Sequence, residues 1–172
     1  MDNSYILYGE DTIQKRIKEL ASQIYNLYND EEVIFLCTLK GAVFFCIDLL
    51  KNYSGNAKLE FVKIASYDGE NTTGDIDLSL PVDEKNIRDK KVIIVEDIVD
   101  TGLSLSYLYT YIKNMEPKKL EICVLLDKNE RRIVPVKVDY TGFVIDNLFV
   151  IGYGLDYNQK YRNLPYIKVL KK

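Results

Sequence analysis

Val92-Ile93-Ile94-Val95-Glu96-Asp97-Ile98-Val99-Asp100-Thr101-Gly102-Leu103-Ser104 is the stretch on which the fold turns. Val92 to Val95 is β-branched throughout and carries no polar side chain. It reads as a strand buried on both faces, as parallel sheets require. Two adjacent carboxylates close it, a third stands at Asp100, and Thr-Gly-x-Ser then opens a helix over Leu103 to Met115, stopped by Pro117. Gly102 permits an unusual turn, and the N–H groups of a helix N-terminus bind anions. The hydroxyls of Thr101 and Ser104 can add donors. Carboxylates accept hydrogen bonds from vicinal diols. This spacing of acids beside a buried strand suits a hydroxyl-rich ligand or a hydrated metal, followed by a phosphate loop.

The flanking sequence repeats the strand-then-helix pattern. Apolar residues at Ile13, Ile17, Leu20, Ala21, Ile24, Leu27 and Tyr28 have helical spacing across Glu10 to Asn29, with Asp11 or Thr12 as a cap. Val33 to Cys37 is a second buried strand. The turn Thr38-Leu39-Lys40-Gly41 leads into a helix from Ala42 to about Lys51. Leu59 to Ala65, Leu120 to Leu126, Phe143 to Ile145 and Leu148 to Ile151 read as further strands, the last ended by Gly152 and Gly154. The alternation predicts an α/β fold with a mostly parallel central sheet flanked by helices. Ligands of such sheets sit beyond the carboxyl ends of the strands, here the loops 38–41, 96–104, 127–128 and 152–162. Ser66 to Leu80 is polar and aperiodic, the signature of a functional lid or a disordered loop. Asp83 to Lys91 reads as a solvated turn.

Composition narrows the chemistry. The 172 residues suit one domain, 1–172. There is no histidine, which excludes Ser-His-Asp and Cys-His triads and histidine metal sites. Proton transfer must use Asp, Glu, Lys, Tyr or Cys. Cys37, Cys46 and Cys123 each lie in apolar surroundings with no CxxC pair, so buried free thiols are expected. MDNSYILYGED shows no basic segment leading into an apolar one, and the apolar run AVFFCIDLL contains an Asp and is too short to span a bilayer. A cytoplasmic location and no membrane partner are expected. A net charge of −3, from 23 basic and 26 acidic residues, gives no support to nucleic-acid binding.

The 92–104 stretch resembles the phosphoribosyl-pyrophosphate (PRPP) signature of the type I phosphoribosyltransferases, and Glu-Asp-Ile-Val-Asp-Thr-Gly resembles the hypoxanthine-guanine phosphoribosyltransferase family. The resemblance runs from Leu36 to Leu164 through separate motifs. Leu39-Lys40-Gly41 matches the family's pyrophosphate loop, often built with a non-proline cis peptide. Ser66-Tyr67 matches the start of its mobile catalytic lid, here 66–80. Lys128 matches the purine-binding lysine, and Phe149-Val150 the base-stacking segment. Gly152 to Tyr157 and Tyr161-Arg162 match the metal and pyrophosphate segment. Leu103 is a departure, standing where relatives often carry a basic or hydroxyl residue.

The resemblance implies the type I fold with a small hood, and a reaction: PRPP and a 6-oxopurine give a nucleoside 5′-monophosphate and pyrophosphate, with Mg²⁺. It implies Glu96 and Asp97 for the ribose hydroxyls, and Asp100, Thr101, Gly102, Leu103 and Ser104 for the 5′-phosphate loop. Lys40, Gly41 and Arg162 would take pyrophosphate. Asp100 is the implied general base, and Lys128, Phe149, Val150 and Asp156 would bind the purine. Glu96, Asp97 and Asp156 are the implied holders of metal. A homodimer or homotetramer is implied too. The runner-up reading is a nucleotide-sensing RNA-binding regulator of the same fold. A dinucleotide-binding oxidoreductase is weaker, because Gly152-Tyr153-Gly154 lacks a third glycine. Hypoxanthine, guanine and xanthine differ at C2, and the sequence does not rank them.

Overall fold

The apolar runs are strands, and most extend further than their apolar cores. The computed structural model describes residues 4–65 and 77–170. In chain order the elements are β1 (Tyr5–Tyr8), α1 (Glu10–Tyr28), β2 (Val33–Thr38), α2 (Val43–Asn52), β3 (Ala57–Ala65), β4 (Asp77–Leu80), β5 (Lys91–Val99), α3 (Leu103–Lys113), β6 (Lys119–Asp127), β7 (Tyr140–Val144), β8 (Val150–Ile151) and β9 (Ile167–Val169). Short 3-10 turns lie at Glu84–Asn86 and Asn129–Arg131. Six strands form one sheet in the order β4-β3-β2-β5-β6-β7, parallel except for the edge pair β3–β4. β1, β9 and β8 form a separate antiparallel sheet, the small hood.

Both faces of the large sheet are covered, so its central strands do not alternate with polar residues. All six residues of β2 are buried. Along β5, Ile93 and Val95 join the core beneath α1 and α2, while Val92 and Ile94 join the core beneath α3. Helix α1 buries Ile13, Ile17, Leu20, Ala21, Ile24 and Tyr28. Leu27, which the spacing put in that stripe, is exposed. Neither Asp11 nor Thr12 caps the helix. Gly9 is the cap residue, and Glu10 and Asp11 sit in the first turn, where acids favour the helix dipole.

Other boundaries differ from the sequence reading for identifiable reasons. The 66–80 segment is not loop to its end, because Asp77–Leu80 forms β4, with Leu78 opposite Ile64 and Leu80 opposite Lys63. An edge strand needs only one buried face, so its apolar content is low. Ser66, Tyr67 and the rest of 66–76 lie outside the described residues. β7 begins at Tyr140, and Leu148-Phe149 stays outside β8. The charged stretch 83–91 is solvated at Asp83 and Glu84 but buries Ile87 completely. The three cysteines are buried and free, as expected. No described helix is long and apolar enough to cross a membrane.

Candidate active site

The site begins with a mismatch in strand length. β2 pairs with β5 only as far as Cys37 opposite Val95, whereas β6 follows β5 to Asp127 opposite Val99. Glu96 to Val99 therefore overhang the end of β2, and the turn Thr38–Gly41 fills the space beside them. The Thr38 hydroxyl bridges the Val95 carbonyl, at 3.0 Å, and Glu96 Oε1, at 2.7 Å. Glu96 Oε1 also accepts the Asp97 N–H at 3.1 Å, and Asp97 Oδ1 accepts the Ile98 N–H at 2.9 Å. The sequence reading ended the strand before these acids. The structure holds them inside it, and this fixes their backbone.

Glycine makes the close approach possible. A Cβ on Gly41 would stand 1.7 Å from Asp97 Oδ2. The Leu39–Lys40 peptide bond is cis, as the resemblance implies for this loop. Gly154, at φ +98°, lies on the other side, where a Cβ would stand 2.0 Å from the Gly41 carbonyl oxygen. The two carboxylates bear the cost of burial unequally. Burial, then the charge of Asp97, pushes the Glu96 carboxyl well above its ordinary range. Burial pushes Asp97 up as well, opposed by its hydrogen bonds and by the charge of Arg162.

Past Val99 the chain turns at Gly102, φ +85°, which caps α3. The first N–H groups of a helix have no intrahelical acceptor, so this end offers donors to an anion. Thr101 Oγ1 stands 3.5 Å from the Leu103 N–H, and Ser104 is half-buried beside it. Leu103 is exposed. The Thr101 carbonyl accepts the N–H groups of Ile133 and Val134, which backs the loop against the segment after β6.

Asp100 faces that same segment. Its Oδ2 lies 3.2 Å from Arg131 Nη1 and 3.9 Å from Lys128 Nζ. Its Oδ1 is buried without a hydrogen-bond partner among the described residues. Lys128 is buried, and its N–H donates to the Val99 carbonyl at 3.0 Å. Burial, reinforced by Arg131, holds the Lys128 ammonium below the usual lysine range, while Asp100 opposes the shift. Sequence reasoning missed Arg131. The run DKNERR, 127–132, mixes acids and bases, and the 3-10 turn that brings Arg131 to Asp100 leaves no spacing signal.

The remaining residues come from the C-terminal segment. Phe149 is half exposed, with the Tyr157 ring edge-on at 5.7 Å. Val150 is buried in β8 opposite Val169. Asp156 is engaged on both oxygens, by Arg162 at 2.7 Å and by the Gln159 N–H at 2.8 Å. Arg162 also donates to the Gly154 carbonyl at 2.6 Å. Lys40 is exposed at the mouth. Among the described residues no cluster of three or more acids or thiols could cage a metal. The set still fits Mg²⁺, which takes one or two carboxylates and keeps several waters. A cation beside Glu96 and Asp97 would offset the penalty that burial places on their charges.

This carboxyl edge sets paired acids, a helix N-terminus and a glycine-backed cis-peptide loop side by side, with donors suited to an anion and acceptors suited to hydroxyls. The chain belongs to the phosphoribosyltransferases: the family model for the phosphoribosyl transferase domain matches residues 7–158. Full-length relatives narrow the class. The chain is 41% identical over 172 residues to the hypoxanthine-guanine-xanthine phosphoribosyltransferase of Tritrichomonas foetus, covering 99% of this chain and 93% of that one. It is 38% identical over 171 residues to the hypoxanthine-guanine phosphoribosyltransferase of Bacillus subtilis, covering 99% and 94%. A crystal structure of a hypoxanthine-guanine phosphoribosyltransferase from Bacillus anthracis superposes with a TM-score of 0.92 at 40% identity, covering 97% of this chain and 98% of that one. The chain is a member of the hypoxanthine-guanine phosphoribosyltransferase family.

Proposed function

We propose that the protein is a purine salvage enzyme that transfers the 5-phosphoribosyl group of PRPP to a 6-oxopurine, hypoxanthine or guanine and also xanthine, releasing pyrophosphate. The observation that carries this reading is the β5 overhang. It sets two part-buried carboxylates against a glycine loop and, one turn on, a third acid whose buried Oδ1 has no partner among the described residues, beside a buried lysine. Glu96 and Asp97 hold the ribose 2′ and 3′ hydroxyls, where positive charge grows as pyrophosphate leaves C1′. Thr101 to Ser104 hold the 5′-phosphate on the N-terminus of α3. Lys40, the Gly41 backbone and Arg162 take the pyrophosphate, Arg162 through its planar fork. The Mg²⁺ that accompanies PRPP supplies Lewis-acid neutralisation of the leaving group, and Glu96, Asp97 and Asp156 are the residues that would hold it or its water shell.

On the base side, Asp100 Oδ1 accepts the proton that N7 sheds, and Lys128 donates to O6. A 6-amino group in that place leaves the buried lysine unmatched, which discriminates strongly against adenine. Phe149 stacks on the purine, and main-chain groups near Val150 and Asp156 read its other edge. The segment from Ser66 and Tyr67 onward serves as the lid. The proposed setting is the cytoplasm, as a homodimer or homotetramer, and three free buried thiols fit that compartment. No observation favours the RNA-binding reading, and the net charge of −3 weighs against it. The test is a spectrophotometric assay with PRPP, Mg²⁺ and, separately, hypoxanthine, guanine, xanthine, adenine and uracil. Turnover of 6-oxopurines with adenine and uracil inert is expected. Turnover of adenine or uracil alone overturns the proposal.

A further inference from the structure

Three residues in succession, Gly152, Tyr153 and Gly154, hold positive φ angles of +94°, +50° and +98°. Two are glycines and tolerate this freely. Tyr153 does not, because a Cβ-bearing residue in the left-handed region is held there only when its surroundings over-determine it. What holds it is its side chain. The ring is buried, and its hydroxyl donates to Asp48 Oδ2 at 2.6 Å. Gln14 Nε2 donates to the same oxygen at 2.7 Å. Asp48 lies on α2 and Gln14 on α1, so one carboxylate oxygen ties the 152–154 turn to both helices. Burial and the neighbouring Asp48 push the phenol upward, so the hydroxyl stays a donor across the neutral range.

The turn so anchored leans on the site. Gly154 lies against the Gly41 carbonyl and exchanges backbone and side-chain bonds with Arg162, whose carbonyl takes the Gly154 N–H at 2.9 Å. Gly41 in turn lies against the Asp97 carboxylate. Arg162, Gly154, Gly41 and Asp97 thus form one stack, and α2, which carries Asp48, starts at Val43, with Ala42 between it and Gly41 as its cap. We propose that Tyr153, through Asp48, is a positioning residue that sets the spacing between Arg162 and the 38–41 loop, the two walls of the pyrophosphate subsite. The purine-stacking residue is held separately, since the Phe149 carbonyl accepts the Leu170 N–H and Val150 pairs with Val169. The inference deepens the reading of the site as a PRPP site and rests on it.

The experiment measures steady-state KM for PRPP and for hypoxanthine, with PRPP binding by calorimetry in the presence of Mg²⁺. Tyr153→Phe keeps the ring and removes only the donor. Its KM and Kd for PRPP should rise about tenfold, the scale of one hydrogen bond to a charged group, while KM for hypoxanthine stays within about twofold. Asp48→Asn keeps an acceptor oxygen and should rescue PRPP affinity, whereas Asp48→Leu should match Tyr153→Phe. The double variant Tyr153→Phe/Asp48→Leu should be no worse than either single change, as coupled partners require. Unchanged PRPP affinity in Tyr153→Phe, an equal rise in both KM values, or additive losses in the double variant overturn the proposal. Wild-type protein that neither binds PRPP nor turns over a 6-oxopurine overturns the underlying reading of the site instead.

Discussion

Asp100 has two oxygens in different situations. Oδ2 faces the cations of Arg131 and Lys128, while Oδ1 is buried with no donor among the described residues. A buried acceptor left unpaired costs on the order of 1–3 kcal/mol, so the ligand-free site holds a place for a donor. The N7–H of a bound purine is such a donor, and with Oδ2 pinned by cations the free oxygen has a fixed direction. Asp100→Ala should slow nucleotide formation by about 10²-fold, the scale of a lost general base, with PRPP affinity preserved. Single-turnover kinetics check this, and an unchanged chemical step sinks the assignment. Asp100 was legible because acids rarely follow a fully apolar strand at this spacing. Its partner Arg131 was not, because the contact depends on a turn whose course no periodicity encodes.

The parallel strands and three long helices were legible because burial on both faces leaves unbroken apolar runs, and burial on one face leaves a 3.6-residue stripe. β1, β4 and β9 were not. Each has only three or four residues, and such strands are held by main-chain bonds to neighbours that the local sequence does not name. The overhang of β5 beyond β2 was equally hidden, because strand length relative to a partner is a property of the pair. β2 nevertheless sets where the site lies, since the Thr38–Gly41 turn starts where it stops. Phe35 anchors that strand. It is fully buried and packs edge-on against Tyr53 with ring centroids 5.1 Å apart. Phe35→Ala should cost about 3–5 kcal/mol, read from urea unfolding. A loss below about 1 kcal/mol would mean that the core beneath α1 and α2 collapses to fill the gap.

Without histidine, the molecule's response to mild acid must come from carboxylates in unusual surroundings, and Glu96 and Asp97 are such a pair. Both have folded-state values raised above their ordinary 4.5 and 3.8, Glu96 the more. A raised carboxyl binds more protons in the folded than in the unfolded state. Stability therefore falls as pH rises through the window above the ordinary value, and recovers as pH drops toward it. At neutral pH the chain thus bears a destabilisation concentrated at Glu96 and Asp97, where a divalent cation would bring compensating charge. Glu96→Gln keeps the oxygen that accepts from Thr38 and from the Asp97 N–H, but removes one of the two charges. At pH 7–8 it should raise the melting temperature of the ligand-free protein by roughly 2–4 °C, the response of a chain this size to about 1 kcal/mol. The gain should shrink as pH falls through the raised range of the folded Glu96 carboxyl and be gone by about 4.5, where the unfolded chain takes up its proton too. Melting curves across that range decide it. A variant no more stable than wild type at pH 8, or a gain independent of pH, would mean that the pair is already relieved within the folded chain. Turnover by the same variant should fall even as stability rises, because on the proposed reading the charge that costs the folded chain is the one that would hold the ribose.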